Sequence, residues 1–246
     1  MNEPGVVVAA SHGTRSRVGR LAVRGIVEAV ARRAPGLEVV EAFVDVQQPR
    51  VADVVASLER PCVVVPLLLA PGHHLHVDIS RAVEPAYAVA ARTLGPDLRI
   101  AQLLVEGLER SGADRHDAVV LAASGSSDLR ARRAVEQSAS LVSLLWGTEV
   151  TIGYLGGAGT PIDVALADAR RTGRRAVAAT FMLAPGFFHD RLLASAADLV
   201  TSPLLDGAVP DPRLVDIVLD RVAEASGERS WASGRLVRWH ATAASR

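Results

Sequence analysis

The 246-residue sequence contains no lysine, because all 27 basic residues are arginine, and it contains a single cysteine, Cys62. Without a lysine amine, the protein can form no lysine Schiff base and no phosphate-binding P-loop. One cysteine excludes a disulfide framework, an iron–sulfur cluster and a thiolate zinc site. The chemistry of this chain must therefore come from other side chains.

Net charge is also absent, since the 27 arginines are balanced by 27 acidic residues. This balance argues against binding of nucleic acid by bulk charge and against a polybasic membrane anchor. The longest apolar run, Cys62 to Pro71, is about half the roughly 20 residues of a membrane span. The first five residues lack the charged segment of a signal peptide. We therefore expect a cytoplasmic protein that binds neither nucleic acid nor membrane.

The sequence repeats itself at offsets of 112 to 114 residues. Four pairs of segments recur in the same order: Val7–Thr14 with Val120–Ser127, Gln48–Val51 with Thr160–Asp163, Leu69–Gly72 with Leu183–Gly186, and Asp97–Ile100 with Asp211–Leu214. Such agreement indicates a tandem duplication. We predict units at 1–113 and 114–226, followed by a tail at 227–246.

Each unit alternates apolar, Val-rich strand patterns with helical spacing, which predicts parallel sheets covered by helices on both sides. A short helix is expected to begin near Ile79, and Asp97 is expected to cap the helix that closes the first unit. The predicted strands are near 5–10, 37–44, 63–69 and 87–93 in the first unit, and near 118–123, 149–155, 175–183 and 197–202 in the second. The length fits two sheets of about four strands.

Ligands bind beyond the carboxyl ends of the strands in such sheets. His12 follows the first strand, Asp45 follows the second, and His74 follows the third within the run His73–His76. Two imidazoles and one carboxylate suit Fe²⁺, Co²⁺, Ni²⁺ or Zn²⁺ and leave coordination positions open. The sequence therefore predicts a metal site formed by His12, Asp45 and His74.

Structural explanations exist for each of these residues separately. His12 could be a helix-entry or core histidine, the His-rich run could be an ordinary polar loop, and Asp45 could be a helix cap. The duplication favours a function, because the second unit has Gly125, Gly157 (or Gly156) and Phe188 at the corresponding repeat offsets. If the fold required these three residues, both units would have them. Their joint absence from the second unit indicates that they form one shared site in the first.

The motifs resemble those of the class II chelatases of tetrapyrrole biosynthesis, the family of sirohydrochlorin ferrochelatases and cobaltochelatases. The resemblance rests on Ser11–Arg15, on the acid Asp45 followed by Gln48-Pro49, and on Gly72-x-His74 followed by Asp78-Ile79. The resemblance covers about 225 residues. In its duplicated length, the chain is similar to the long, two-domain form of the family. It implies an α/β fold of two tandem flavodoxin-like, three-layer domains with four-stranded parallel sheets.

The resemblance implies that His12 and His74 are metal ligands and that the chain is a metal chelatase, a lyase. Asp45 stands where the family has Glu, one methylene longer, so its ligation is direct or through water. Glu41, two residues before the end of the same strand, is a weaker substitute. His73 and His76 are expected either to support the ligands from behind or to form part of a metal entry path.

The implied reaction inserts Fe²⁺ into sirohydrochlorin and releases two protons, with His12 and His74 as catalytic groups. No cofactor is expected to be permanently bound, since Fe²⁺ or Co²⁺ is the substrate metal. Arginines would pair with the substrate's eight carboxylates, and backbone N–H groups of small residues would line the opposite wall. The predicted substrate-binding residues are Ser11, Gly13, Thr14, Arg15, Ser124, Gly125, Ser126, Gly156, Gly157 and Arg191.

Three alternatives remain open at this point. The first is a sirohydrochlorin cobaltochelatase, since these ligands do not separate Fe²⁺ from Co²⁺. The second is a non-catalytic tetrapyrrole or metal carrier, which would favour a closed ligand set. The third is a nucleotide-binding protein, suggested by Gly153–Thr160, although that run lacks G-x-G-x-x-G spacing. An oligomer is possible, and the role of the tail is open.

Overall fold

The fold was taken from a computed structural model of the chain, which describes residues 5–84, 87–206 and 209–227, without the side chains of residues 73–77. The predicted tail at 227–246 lies outside the described residues except for Gly227. Among the helices of these three ranges, none combines the length and apolarity needed to cross a membrane.

Within the described residues, each half of the chain alternates four strands with four helices. The elements of the first half are β1 (Gly5–Ser11), α1 (Arg17–Arg33), β2 (Leu37–Phe43), α2 (Val51–Leu58), β3 (Cys62–Pro66), α3 (His73–Ala82), β4 (Ala88–Ala90) and α4 (Leu98–Arg110). Those of the second half are β5 (Ala118–Ala123), α5 (Leu129–Trp146), β6 (Val150–Tyr154), α6 (Ile162–Arg171), β7 (Ala176–Phe181), α7 (Phe187–Leu193), β8 (Leu199–Val200) and α8 (Pro212–Ala225).

The strands form two parallel four-stranded sheets, with the orders β2-β1-β3-β4 and β6-β5-β7-β8. Val7 of β1 is in register with Val39 and Val63, and Leu121 of β5 is in register with Ile152 and Ala179. The central strands β3, β5 and β7 are buried along their whole length, which explains their largely apolar sequences. The predicted fold class is confirmed.

Helix α3 begins at His73, so the expectation that it begins near Ile79 is wrong by six residues. Gly72 precedes the helix in an extended conformation, and the His-rich run forms its first turns rather than a loop. Among the side chains that the structure describes in this helix, those of Ile79 and Ala82 belong to the apolar core, so the recognisable hydrophobic pattern lies near its end. Strands β4 and β8 are also shorter than predicted, with three and two residues.

The closing helices of the two halves are exchanged. Helix α4 contacts β7 of the second sheet, and α8 contacts β3 of the first. One continuous apolar core accordingly includes Val65 of the first sheet, Val177 of the second, Leu104 of α4 and Leu219 of α8. Neither half could bury its central sheet in this way without the other.

The repeated Asp-x-Arg segments fasten the exchanged helices. Asp97 caps α4, as predicted, by accepting a hydrogen bond from the backbone N–H of Arg99 at 3.0 Å. The Arg99 side chain then reaches Asp220 of α8 at 2.8 Å, and its counterpart Arg213 reaches Glu106 of α4 at 2.6 Å. The repeat therefore retained this segment for a contact between the halves.

The loop after β7 lies directly against α1. A Cβ atom added to Gly19 would lie 2.1 Å from the backbone oxygen of Pro185, a distance that no side chain can accept. Gly19 thus allows a backbone of the second half to touch a helix of the first.

We expect Gly19→Ala to lower the free energy of unfolding by about 1–3 kcal/mol, because the added methyl forces the two halves apart. The matched control is Gly25→Ala in the same helix, where the nearest atom, Pro210 Cγ, would lie 3.8 Å away. That variant should gain roughly 0.5–1 kcal/mol from lower backbone entropy in the unfolded chain. Urea unfolding checks both, and equal stability of the two variants would refute the close contact.

Candidate functional site

The carboxyl ends of both sheets face one cavity of about 790 Å³. In each sheet the chain runs from the first strand to neighbours on opposite sides, and ligands bind in the crevice at such a switch point. The wall includes the loops after β1, β2 and β3 of the first half and those after β5 and β7 of the second. The volume lies in the range of about 300–1,000 Å³ typical of ligand sites.

His12 lines this cavity from the end of β1, with an exposed side chain. Its backbone oxygen accepts a hydrogen bond from the Asp45 backbone N–H at 3.0 Å, so the loops after β1 and β2 lie side by side. Gly13 makes this possible: its φ is +88°, and a Cβ there would lie 2.3 Å from the Asp45 backbone oxygen. The structure therefore brings His12 and Asp45 together in adjacent loops.

The Asp45 carboxylate is not among the groups that line the cavity. Its Oδ1 atom lies 3.0 Å from Nη1 of Arg50. The hydrogen bond from the Val46 backbone N–H, followed by that from Arg50, lowers the pKa of the Asp45 carboxyl. Asp45 is therefore anionic near neutral pH, and Arg50 competes with a metal for its Oδ1 atom.

The alternative carboxylate, Glu41, faces a different neighbourhood. It is half-buried near Arg24 and Glu28 of α1, and burial raises the pKa of its carboxyl despite the nearby Arg24. It is not among the residues that line the cavity. The position therefore gives no support to Glu41 as a substitute ligand.

His74 lies in the first turn of α3, and Gly72, just before this helix, lines the cavity. The side chains of His73, His74 and His76 lie outside what the structure describes. Within the described side chains, no group of three or more His, Cys, Asp or Glu residues is placed to hold a metal ion. The set His12, Asp45 and His74 therefore stays a prediction.

The other predicted substrate-binding residues divide into two groups. Ser11, Gly13, Thr14, Arg15, Ser124, Gly125 and Ser126 line the cavity. Gly156, Gly157 and Arg191 are not among its lining residues. A Cβ on Gly157 would lie 2.7 Å from the Ser126 backbone nitrogen, so this glycine supports the loop instead of facing the cavity.

The structure also corrects the pairing between the repeats by one residue. Gly125 has a φ of +91°, and a Cβ there would overlap the backbone oxygen of Gly156, as one on Gly13 would overlap that of Asp45. Gly13 therefore corresponds to Gly125, which makes Ser124 the counterpart of His12 and Gly156 that of Asp45. The second half still lacks both candidate ligands.

Aromatic residues take the place of the His-rich run in the second half. Gly186 precedes α7 as Gly72 precedes α3, which makes Phe188 the counterpart of His74. The rings of Phe187 and Phe188 are exposed at the cavity and meet edge to face, with centroids 5.3 Å apart. The second half therefore offers an apolar surface where the first has imidazoles.

His189 also lines the cavity and was missed by the sequence reasoning, which compared only position 188 with His74. It is half-buried, and this burial lowers the pKa of its imidazole. A neutral imidazole at neutral pH can accept a proton. The His-Asp pair after the second Ala-Pro-Gly segment was the signal that could have drawn attention to it.

Two arginines, Arg20 and Arg132, line the cavity and were likewise missed. Two buried polar atoms of the lining, Nε of Arg132 and Oγ of Ser11, have no hydrogen-bond partner among the described residues. Buried polar groups are rarely left unpaired, and such atoms in a cavity indicate a site prepared for a polar ligand. The two arginines occupy the same position in the two repeats. This agreement in the sequence could have identified them as candidate site residues.

The sequence profile of the CbiX family matches residues 6–111 and matches a second time at residues 118–225. The chain belongs to the CbiX family. The resemblance to class II chelatases is thereby confirmed, and both halves of this CbiX-family protein carry it. No curated protein matches the chain significantly in sequence.

Several solved structures share the fold. SirB from Bacillus subtilis with Fe³⁺ is 18% identical, with a TM-score of 0.71 over 90% of this chain and 95% of that one. SirB from the subspecies spizizenii, in complex with cobalt, is 19% identical, with a TM-score of 0.66 over 90% and 94%. CbiX, described as the terminal enzyme of sirohaem biosynthesis in denitrifying bacteria, is 18% identical, with a TM-score of 0.61 over 90% and 99%.

Proposed function

We propose that this CbiX-family protein inserts Fe²⁺ into sirohydrochlorin, giving sirohaem and two protons. The observation that carries the proposal is the position of His12, which lines a cavity formed by residues of both CbiX-like halves. The names of two similar structures support it, since one holds iron and another is described as an enzyme of sirohaem synthesis.

In this proposal, the first half handles the metal and the second half supports the ring. His12 and His74 hold the substrate metal, and Asp45 balances its charge directly or through water. Neutral imidazole releases a bound ion readily, and a histidine near its pKa can accept a pyrrole proton. The Phe187 and Phe188 rings would support the flat macrocycle, because aromatic faces stack on one another.

Cobalt is the second candidate metal. One similar structure is in complex with cobalt, and Fe²⁺ and Co²⁺ are neighbours in their affinity for nitrogen and oxygen ligands. A carrier would favour a closed set of buried ligands, whereas His12 is exposed.

The deciding experiment mixes the purified protein anaerobically with sirohydrochlorin and Fe²⁺, and separately with Co²⁺, and follows loss of the metal-free absorption spectrum. We expect insertion well above the non-enzymatic rate, and faster with Fe²⁺ at equal concentrations of free metal. Binding of the tetrapyrrole without insertion would instead support a carrier. Faster insertion of Co²⁺ would support the cobalt alternative as the intrinsic preference.

A further inference from the structure

Arg20 and Arg132 occupy the same position in the two halves. Helix α1 follows the N-cap Ser16, helix α5 follows the N-cap Asp128, and each arginine is the fourth residue after its cap. The preceding loops also match, because Thr14 and Ser126 each accept a hydrogen bond from the backbone N–H of the N-cap residue. The duplicated fold thus places one arginine from each half at the shared cavity.

The charge of the cavity differs from that of the whole chain. The described residues that line it include the arginines Arg15, Arg20 and Arg132 but a single acidic residue, Asp190. The chain as a whole has no net charge. An excess of guanidinium groups around an otherwise largely apolar lining suits a ligand with an apolar body and anionic substituents.

Arg132 carries the strongest indication of a missing partner. Its Nε atom is buried without a hydrogen-bond acceptor, whereas Arg130, on the same helix, is paired with Asp128 at 2.8 Å. A buried donor without an acceptor costs free energy, which an incoming anion would recover. A carboxylate is the best fit, because the guanidinium group can donate two parallel hydrogen bonds to it.

We propose that Arg20 and Arg132 form a carboxylate-binding pair that holds a polycarboxylate macrocycle from both halves of the protein. This inference rests on the proposed function and deepens it. The pair acts in binding the substrate and is separate from the predicted metal ligands. It should therefore affect the affinity for the macrocycle and leave the insertion step largely unchanged.

The test measures binding of metal-free uroporphyrin, a tetrapyrrole with eight carboxylates, by quenching of its fluorescence. We expect Arg132→Ala to raise the Kd by about tenfold or more, since a charged hydrogen-bonded pair is lost. Arg20→Ala should act in the same direction, and Arg132→Lys should restore part of the affinity. The matched controls are Arg133→Ala and Arg24→Ala, exposed arginines of the same helices that do not line the cavity.

Two further measurements separate binding from a structural role. The thermal midpoint of Arg132→Ala should equal or exceed that of the wild type, because its Nε has no partner in the free protein. Added salt should weaken uroporphyrin binding to the wild type more than to the variant. A Kd of Arg132→Ala within twofold of the wild type, or the same increase in Arg133→Ala, would overturn the proposal.

The outcome can be separated from that of the proposed function. If the wild type inserts no metal but binds uroporphyrin through Arg20 and Arg132, the carboxylate pair stands and the chelatase function fails. If the wild type inserts Fe²⁺ and both variants bind and react as it does, the function stands and the pair fails. In an active enzyme, we expect Arg132→Ala to raise KM for sirohydrochlorin with little change in kcat.

Discussion

The His12→Ala variant is expected to insert Fe²⁺ into sirohydrochlorin about 100-fold more slowly than the wild type, or slower still. Two of the predicted ligands, His12 and Asp45, have described side chains. Of these two, His12 lines the cavity and Asp45 does not. In the proposed function His12 is both a metal ligand and a proton acceptor, so its removal should impair both roles. Anaerobic single-turnover absorbance measures the rate.

The matched control for this prediction is His116→Ala. His116 is also an exposed histidine, but it lies in the turn before β5 and does not line the cavity. The His116→Ala variant should react at the wild-type rate, and uroporphyrin should bind to His12→Ala with nearly unchanged affinity. Wild-type insertion by His12→Ala would refute the assignment of the site.

The largest expected loss of stability follows from Arg221→Met, at about 3–5 kcal/mol of unfolding free energy. Arg221 lies on α8, and only 1% of its side chain is exposed. It donates hydrogen bonds to the backbone oxygens of Thr93 and Leu94 at 3.1 and 2.7 Å, and it contacts the Asp97 carboxylate at 2.9 Å. Its loss leaves the backbone oxygens of Thr93 and Leu94 without this buried donor at the junction of the two halves, while Asp97 keeps its hydrogen bonds from Arg99.

Arg92→Met is the matched control, because Arg92 joins the same two halves through Glu224 of α8 at 2.7 Å. Its side chain is 53% exposed, so its loss should cost less than about 1 kcal/mol. Urea unfolding followed by circular dichroism compares the two variants. Similar losses of unfolding free energy in the two variants would show that the burial of Arg221 does not strengthen the contact between the halves.

The sequence alone predicted the two-sheet architecture, because its signals are local and repeated. Strands buried on both faces appear as unbroken apolar runs, and parallel strands place the residues that follow them at one edge of the sheet. The position of His12 at the cavity could be predicted for that reason. The cap Asp97 was predictable as well, since capping depends on a few neighbouring residues.

The start of α3 was not predictable from periodicity, because its first turns carry histidines and the described core residues of the helix, Ile79 and Ala82, lie near its end. The predicted wall residues Gly156 and Gly157 are not among the lining residues, and at Gly157 the small size serves the close approach of the Ser126 backbone. Sequence marks a tight glycine turn but does not say which side of it faces a ligand.

What the sequence by itself determined is the duplication, the order of strands and helices, and the loop that carries His12. Only the tertiary structure decided that α4 and α8 exchange sheets and that Arg20 and Arg132 line the same cavity. Local patterns depend on residues a few positions apart. These contacts depend on how two folded halves pack, and their partners lie up to 132 residues apart, as Arg92 and Glu224 do.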